Sequence, residues 1–260
     1  MTWKKILVLL LVAGVAAATI SASPTETAAR QKAEKAQKDG NWREAYEAYG
    51  KLALDPKSDP KLVGSDLTQA TTCLERLNRM NEIDAFREAV IKVHAKNWRL
   101  LYAAAQNYIN IQHWGFMVAG EFHRGQHRGG GEYVNAHERD RVRALQLMAA
   151  AMKAAEGEKD ANEVASFHLA FANYLMNYRG SSQAWRLQYL SDLSKLPDYE
   201  PGYGYYYYRG SKGAPVNPDG TPVYHSTPKG WDGAKSDGER WRWLLLQAQE
   251  LNPALTNQVR

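Results

Sequence analysis

Apolar residues recur three or four positions apart over most of the chain. The clearest stretch runs from Asp39 to Pro56. Trp42, Ala45, Tyr49 and Leu52 fall on one helical face, mixing small and large side chains as closely packed helices do. Gly40 breaks the helix before it, Asn41 stands where a cap is needed, and Asp55-Pro56 ends the run. Upstream, Thr25 to Lys38 is rich in helix formers, with Ala29, Ala33 and Ala36 on one face. Asp55 to Asp66 reads as a connector, with Asp66 placed to cap the next helix. Leu67, Ala70, Leu74 and Leu77 continue the pattern. Asn78 to Glu82 reads as a turn, and Ala85, Phe86, Ala89, Val90 and Val93 as a further helix. A third pair starts with Trp98, Leu101, Ala105, Tyr108 and Ile109.

Helix pairs therefore recur about every 35 to 40 residues, close to the period of tetratricopeptide-type repeats, in which stacked pairs share a core. The order Gly40, Trp42, Ala45, Tyr49 resembles that of such repeats. The fold class expected is all-α, a stack of antiparallel helix pairs.

Two stretches break the rhythm. Gly115 to Glu132 carries Gly115, Gly120, Gly125 and Gly129 to Gly131 and reads as a loop. Helix resumes near Ala136 with Val142, Leu145, Met148, Ala149 and Met152. After a turn at Gly157 to Asn162, Val164, Phe167, Leu169, Phe171, Tyr174, Leu175 and Met176 form a helix apolar around most of its girth, hence central. A cap at Ser181 and the positions Ala184, Leu187, Leu190 and Leu193 predict another helix, ending before Pro197. Asp198 to Asp237 holds most of the prolines after Pro60 and the tract Gly202 to Gly210. Asn217-Pro218-Asp219-Gly220 suits a tight turn between Val216 and Val223-Tyr224, so a loop or small hairpin insertion is expected there. Asp237 would cap a last clear helix with Trp241, Leu244, Leu245, Ala248 and Leu251, and Ala254 to Arg260 opens a further element, as in a piece of a longer protein.

The N-terminus changes the picture of the compartment. Trp3-Lys4-Lys5, an apolar run from Ile6 to Ile20 and the small residues Ser21 to Ser23 read as a secretory signal, with an uncleaved anchor as the alternative. No cysteine follows the run, so a lipoprotein anchor is excluded. The expected organisation is a signal over 1–23, a helical-repeat domain over 24–197, the Tyr/Gly/Pro-rich insertion over 198–237 and a C-terminal helix over 238–260. The chain would be exported, periplasmic or extracellular, and would meet a membrane only if the signal is kept.

The chain has 260 residues, 44 % hydrophobic, with a formal net charge of +5. Lys4 and Lys5 lie in the signal, and removing these two charges leaves +3, too weak and too scattered for nucleic acid. Cys73 is the one cysteine, so no internal disulfide forms, and on its helix it is expected to be buried and inert.

Catalytic patterns are absent: no Gly-x-Ser-x-Gly, no phosphate-binding glycine loop, no His-Glu-x-x-His. His123 and His127, with Glu121 and Glu132 near, invite a metal, but two ligands four apart share a face on a helix, and the glycines oppose a helix there. The stretch reads instead as a polar loop contacting a neighbouring domain, with His123, Arg124, His127 and Arg128 as partner-contact candidates, of which Arg124, His127 and Arg128 suit an anionic partner. Tyr205, Tyr206, Tyr207 and Tyr208 offer stacking area with polar handles, or else a short strand with alternate rings buried. His94 and His168 sit among apolar neighbours and are expected to be packed. Neither a cofactor nor a metal is expected.

Asp39 to Thr72, Trp98 to Ala105, Gly120 to Gly131 and Gly202 to Tyr224 resemble the N-terminal region of large exported bacterial proteins of the alpha-2-macroglobulin family. The resemblance implies a helical leader ahead of macroglobulin-type β-domains in a protein that traps proteases. That family's thioester needs Cys-x-Glu-Gln. Cys73-Leu74-Glu75-Arg76 has Arg76 in place of the glutamine, so the chemistry does not carry over. The expectation is a non-catalytic scaffold or docking module whose partner is a protein or the downstream domains of a longer chain. The alternatives are a stand-alone periplasmic peptide- or protein-binding repeat protein and, third, a metal-dependent hydrolase.

Overall fold

The computed structural model describes residues 23–176, 187–202, 217–221 and 225–259. It is mostly helical. α1 (Pro24–Lys38), α2 (Trp42–Leu54), α3 (Val63–Arg76), α4 (Ile83–Val93) and α5 (Trp98–Asn110) are followed by β1 (Trp114–Val118), β2 (Glu121–Arg124) and β3 (Glu132–Asn135). Then come α6 (His137–Ala154), α7 (Ala161–Leu175), β4 (Glu200–Pro201), α8 (Asp237–Leu251) and the short α9 (Thr256–Val259). The signal segment, the predicted cap at Ser181 with Ala184, the Tyr205 to Tyr208 tract and the hairpin flanks Val216 and Val223-Tyr224 lie outside the described residues.

The helices form two rows. α1, α3, α5 and α7 stand side by side, joined by polar side chains. Gln37 donates to Gln69 at 2.8 Å, Asn107 to Thr71 at 2.8 Å, and Arg99 pairs with Glu163. The second row is α2, α4, α6 and α8. Tyr46 meets Phe86 edge to face at 5.7 Å, Arg143 holds Glu88 at 2.7 Å, and Arg141 reaches Asp237. Between the rows lies one continuous core that includes Ala33, Ala45, Tyr49, Leu67, Leu74, Val90, Leu101, Leu145, Phe167, Phe171 and Leu244.

Short connections put alternate helix ends together. Glu26 accepts the Asp59 amide at 3.1 Å, Asn97 donates to the Pro60 carbonyl at 2.8 Å, and Trp98 donates to Glu158 at 3.1 Å. The start of α1 and the connections after α2, α4 and α6 thus share one end, the proximal end. The α3–α4 turn and the sheet share the distal end, where a Cβ on Gly125 would lie 3.0 Å from Met80.

Several expectations are corrected. The fold is not all-α, because Gly115 to Glu132 is not a loop. It supplies most of an antiparallel four-stranded sheet of order β2-β1-β3-β4. The glycines there allow close pairing: a Cβ on Gly115 would stand 2.2 Å from the His123 carbonyl oxygen. Leu190 and Leu193 are not helical. In that segment the carbonyls of Ser191, Leu193 and Pro197 accept from Arg240, Gln146 and Arg139, so side chains take the place of the helical ladder. The segment ends at β4, where Val134 pairs with Pro201, so part of the expected insertion belongs to the sheet.

The caps differ too. Asp66 lies inside the first turn of α3 and faces inward. Ser236, not Asp237, caps α8, accepting from the Glu239 amide, while Asp237 is spent on Ser191, Arg141 and Arg240. Asn41 holds the cap position of α2 without a side-chain bond. On α4 the inward face is Ile83, Phe86, Arg87, Val90 and Ile91. Ala85, Ala89 and Val93 are exposed. The tight turn at Asn217 stands, closed by the Gly220 amide on the Asn217 carbonyl at 2.8 Å.

Candidate functional site

Arg30, Glu34 and Gln37 succeed one another at helical spacing on α1, as Leu62, Ser65, Asp66 and Gln69 do along α3 and its entry. Facing each other, with Tyr49 of α2 behind, they line a cleft of about 550 Å³ rimmed by Lys38. Its floor is a fork. Arg30 Nε donates to both Asp66 oxygens at 3.1 Å and Nη2 to Oδ2 at 2.8 Å, a bidentate match of planar groups. Glu26 lies 3.6 Å from the same guanidinium. Arg30 Nη1 is buried and has no hydrogen-bond partner among the described residues. A buried donor left unmade is costly and is met by a bound acceptor or water.

Burial pushes the Asp66 carboxyl up, against the pull of Arg30. Burial also works against the Arg30 cation, but the hydrogen bonds and charge of Asp66 outweigh it and raise the group. Gln37 and Gln69 add an amide pair, with the Tyr49 hydroxyl donating to Gln37 at 3.4 Å. The cleft offers donors and acceptors of a kind that match a peptide backbone or carboxylate. None of its lining residues is a histidine or cysteine. Among the described residues, no three His, Cys, Asp or Glu side chains converge as metal ligands.

The contact candidates are placed differently from one another. His123 lies on β2 and His127 on the loop after it, with ring centroids 4.9 Å apart, and Phe116 is 6.2 Å from His127. Arg128 is exposed. Arg124 is corrected: it is 3 % exposed and is not available to a partner. It pairs with Asp84 of α4 at 3.0 Å and with Asp140 of α6 at 2.8 Å, and it donates to the Gln112 carbonyl, tying the sheet to the second row. The alternation of the strand turns Arg124 inward while His123 turns outward. Tyr205 to Tyr208 lie outside the described residues.

His94 and His168 are buried, each with one ring nitrogen on a carbonyl, at Ala53 and Val164. Cys73 is buried and its thiol is pushed up by burial. The cleft residues carried one signal in the sequence: charged and amide side chains at Arg30, Asp66 and Gln69 on faces that otherwise turn toward a neighbouring helix.

No protein-family model, no characterised protein and no solved structure matches this chain.

Proposed function

We propose that the chain is a non-catalytic docking module built from tetratricopeptide-like helix pairs, exported, and serving as the leader of an alpha-2-macroglobulin-like protease-inhibitor protein. The observation that carries the docking reading is the two-row stack with its polar cleft between α1 and α3. Pair starts at Pro24, Val63 and Trp98 are 39 and 35 residues apart, near the roughly 34 of such repeats. The next pair starts only at Ala161, because the sheet is inserted within the third. Arg30 Nη1 in the cleft favours a partner that brings an acceptor, such as a peptide carbonyl or carboxylate. The same observation fits a stand-alone exported peptide-binding protein as the second reading.

A photo-cross-linker at Gln69, with exposed Glu47 on α2 as control, tests the proposal in the producing cell. A discrete protein adduct at Gln69 alone is expected. Adducts of a β-rich macroglobulin-type protein support the leader reading, and assorted short peptides support the stand-alone one. Equal labelling from both positions, or none from Gln69, overturns the docking role.

A further inference from the structure

The proximal end carries a charge pattern that the cleft does not use. Lys51, Lys57, Lys61, Lys92 and Lys96 are exposed there, and none makes an ion pair among the described residues. On α1, by contrast, Lys32, Lys35 and Lys38 are each paired, with Glu44, Asp39 and Glu34. Two acids, exposed Asp55 and buried Asp59, stand among the five lysines and leave them in excess. Asp55 accepts the Lys57 amide and buried Asp59 the Lys61 amide, both at 2.9 Å. Farther along the same end Arg99 pairs with Glu158 and Glu163, Asp160 caps α7, and these three acids with Glu156 outnumber Arg99, Lys153 and Lys159. The unmatched charge therefore centres on the connections after α2 and α4, which Asn97 and His94 tie together through the Pro60 and Ala53 carbonyls.

Helix dipoles account for Lys51 and Lys92, which lie in the last turns of α2 and α4. They do not account for Lys57, Lys61 and Lys96, which lie in the connections. Among these lysines are two of the exposed large apolar side chains of the described residues that do not line the cleft: Leu54 and Val93, 40 and 39 % exposed. Lysines around shallow apolar side chains suit a surface that is anionic outside and apolar just beneath. Chain connectivity agrees. Ser23 caps α1 at this end, so the apolar run expected as a signal or anchor joins the fold here.

We propose that the proximal end, through Lys57, Lys61 and Lys96 with Leu54 and Val93, rests on an anionic phospholipid surface and leaves the α1–α3 cleft free.

The test uses the full chain on vesicles of phosphatidylcholine with and without phosphatidylglycerol, with brominated lipid as quencher. A fluorophore is placed at Val93→Cys, and at Arg43→Cys on the distal end as control; buried Cys73 does not compete for label. The expected result is quenching at position 93 and not at 43, on phosphatidylglycerol vesicles and not on phosphatidylcholine alone, reversed by salt. Lys57→Gln, Lys61→Gln and Lys96→Gln should each weaken the contact about five-fold. These positions are exposed, so unchanged unfolding midpoints verify that the variants fold. Equal quenching on both lipids would assign the contact to the N-terminal segment and overturn the proposal. So would equal quenching at both positions, or no effect of the lysine changes. Lysine-dependent binding to polyglutamate without quenching would replace the lipid by an acidic protein and would also overturn it.

Discussion

Arg124 of β2 holds Asp140 of α6 with two parallel donors, Nη1 to Oδ2 at 2.8 Å and Nη2 to Oδ1 at 2.9 Å. Both side chains are nearly inaccessible, at 2 and 3 %. The pair is the joint between the inserted sheet and the helical rows. Asp84 completes it from α4 and His113 from the β1 approach, the latter at 2.8 Å from Asp140. Burial alone would raise the Asp140 carboxyl, but Arg124 and His113 outweigh it and hold it below the ordinary range.

Removing one partner of such a joint strands the other. Arg124→Met should cost about 3–5 kcal/mol, because Asp140 is left buried without its cation. The double change Arg124→Met with Asp140→Leu should recover most of that loss, since an apolar pair of similar volume carries no unpaired charge. Urea unfolding of the two variants and the parent checks this. A single variant as stable as the parent contradicts the joint.

The rows depend on close approach where α3 crosses α5. A Cβ on Gly64 would lie 2.9 Å from the Ala103 Cβ and 3.4 Å from the Arg99 carbonyl oxygen. Gly64→Ala gains helix propensity, about 1 kcal/mol. Overpacking against a short, rigid neighbour costs about 1–3 kcal/mol, so a net loss is expected. Ala103→Gly in the same chain should return part of it, giving a coupling of the restoring sign in a double-mutant cycle. Independent, additive effects would show that the two helices are not in contact at these positions.

Burial gives the fold a pH dependence with a definite sign. Burial lowers His94 and His168 from the ordinary histidine value, so the folded chain keeps both neutral. The unfolded chain takes up those protons below about pH 6.5. Stability is therefore complete above that pH and falls as the pH drops toward the folded values, each group adding at most about 1.4 kcal/mol per pH unit. A second loss follows at lower pH. Hydrogen bonds from Trp98 and Arg99 hold Glu158 down to about 2, and Asp140 lies below its usual range, so both favour the fold only while ionised. Urea midpoints measured from pH 7.5 down to 5 should fall, and the double variant His94→Gln with His168→Gln should flatten the upper part of the curve. A flat parent profile across that window contradicts the neutral buried imidazoles.

The helical rows were legible because their signal is local. Trp42, Ala45, Tyr49 and Leu52 announce a face with nothing else known, and Val142, Leu145 and Met148 do the same for α6. The choice of buried face was less legible on α4, where Arg87 goes inside. Its guanidinium lies 3.2 Å from the centre of the Tyr108 ring and donates to Asn107, the latter twenty residues away, partners that no local pattern reveals. The cleft was missed for the same reason: Arg30 and Asp66 are 36 positions apart. Arg124 looked like a surface cation because strands of four or five residues give too few alternations to show which side is inward.

The sheet was missed at one residue in particular, and that residue can be tested. β1 and β2 are joined by Ala119-Gly120, with φ of +50° and +85°. Positive φ at both central positions of a two-residue turn matches the twist of the flanking strands, and asparagine or glycine followed by glycine is its usual sequence. Ala119 hides that signal and bears a strain, since a Cβ in left-handed backbone costs about 1–2 kcal/mol. Ala119→Asn should relieve part of it and raise stability by about 0.5–1 kcal/mol, asparagine tolerating this conformation better. Ala119→Gly should gain less, because glycine adds freedom to the unfolded chain. Ala119→Val should lose stability, since a β-branched side chain fits positive φ worst. Unfolding midpoints in the order Asn, Gly, Ala, Val are the expected result, and a valine variant equal to the parent would refute the turn.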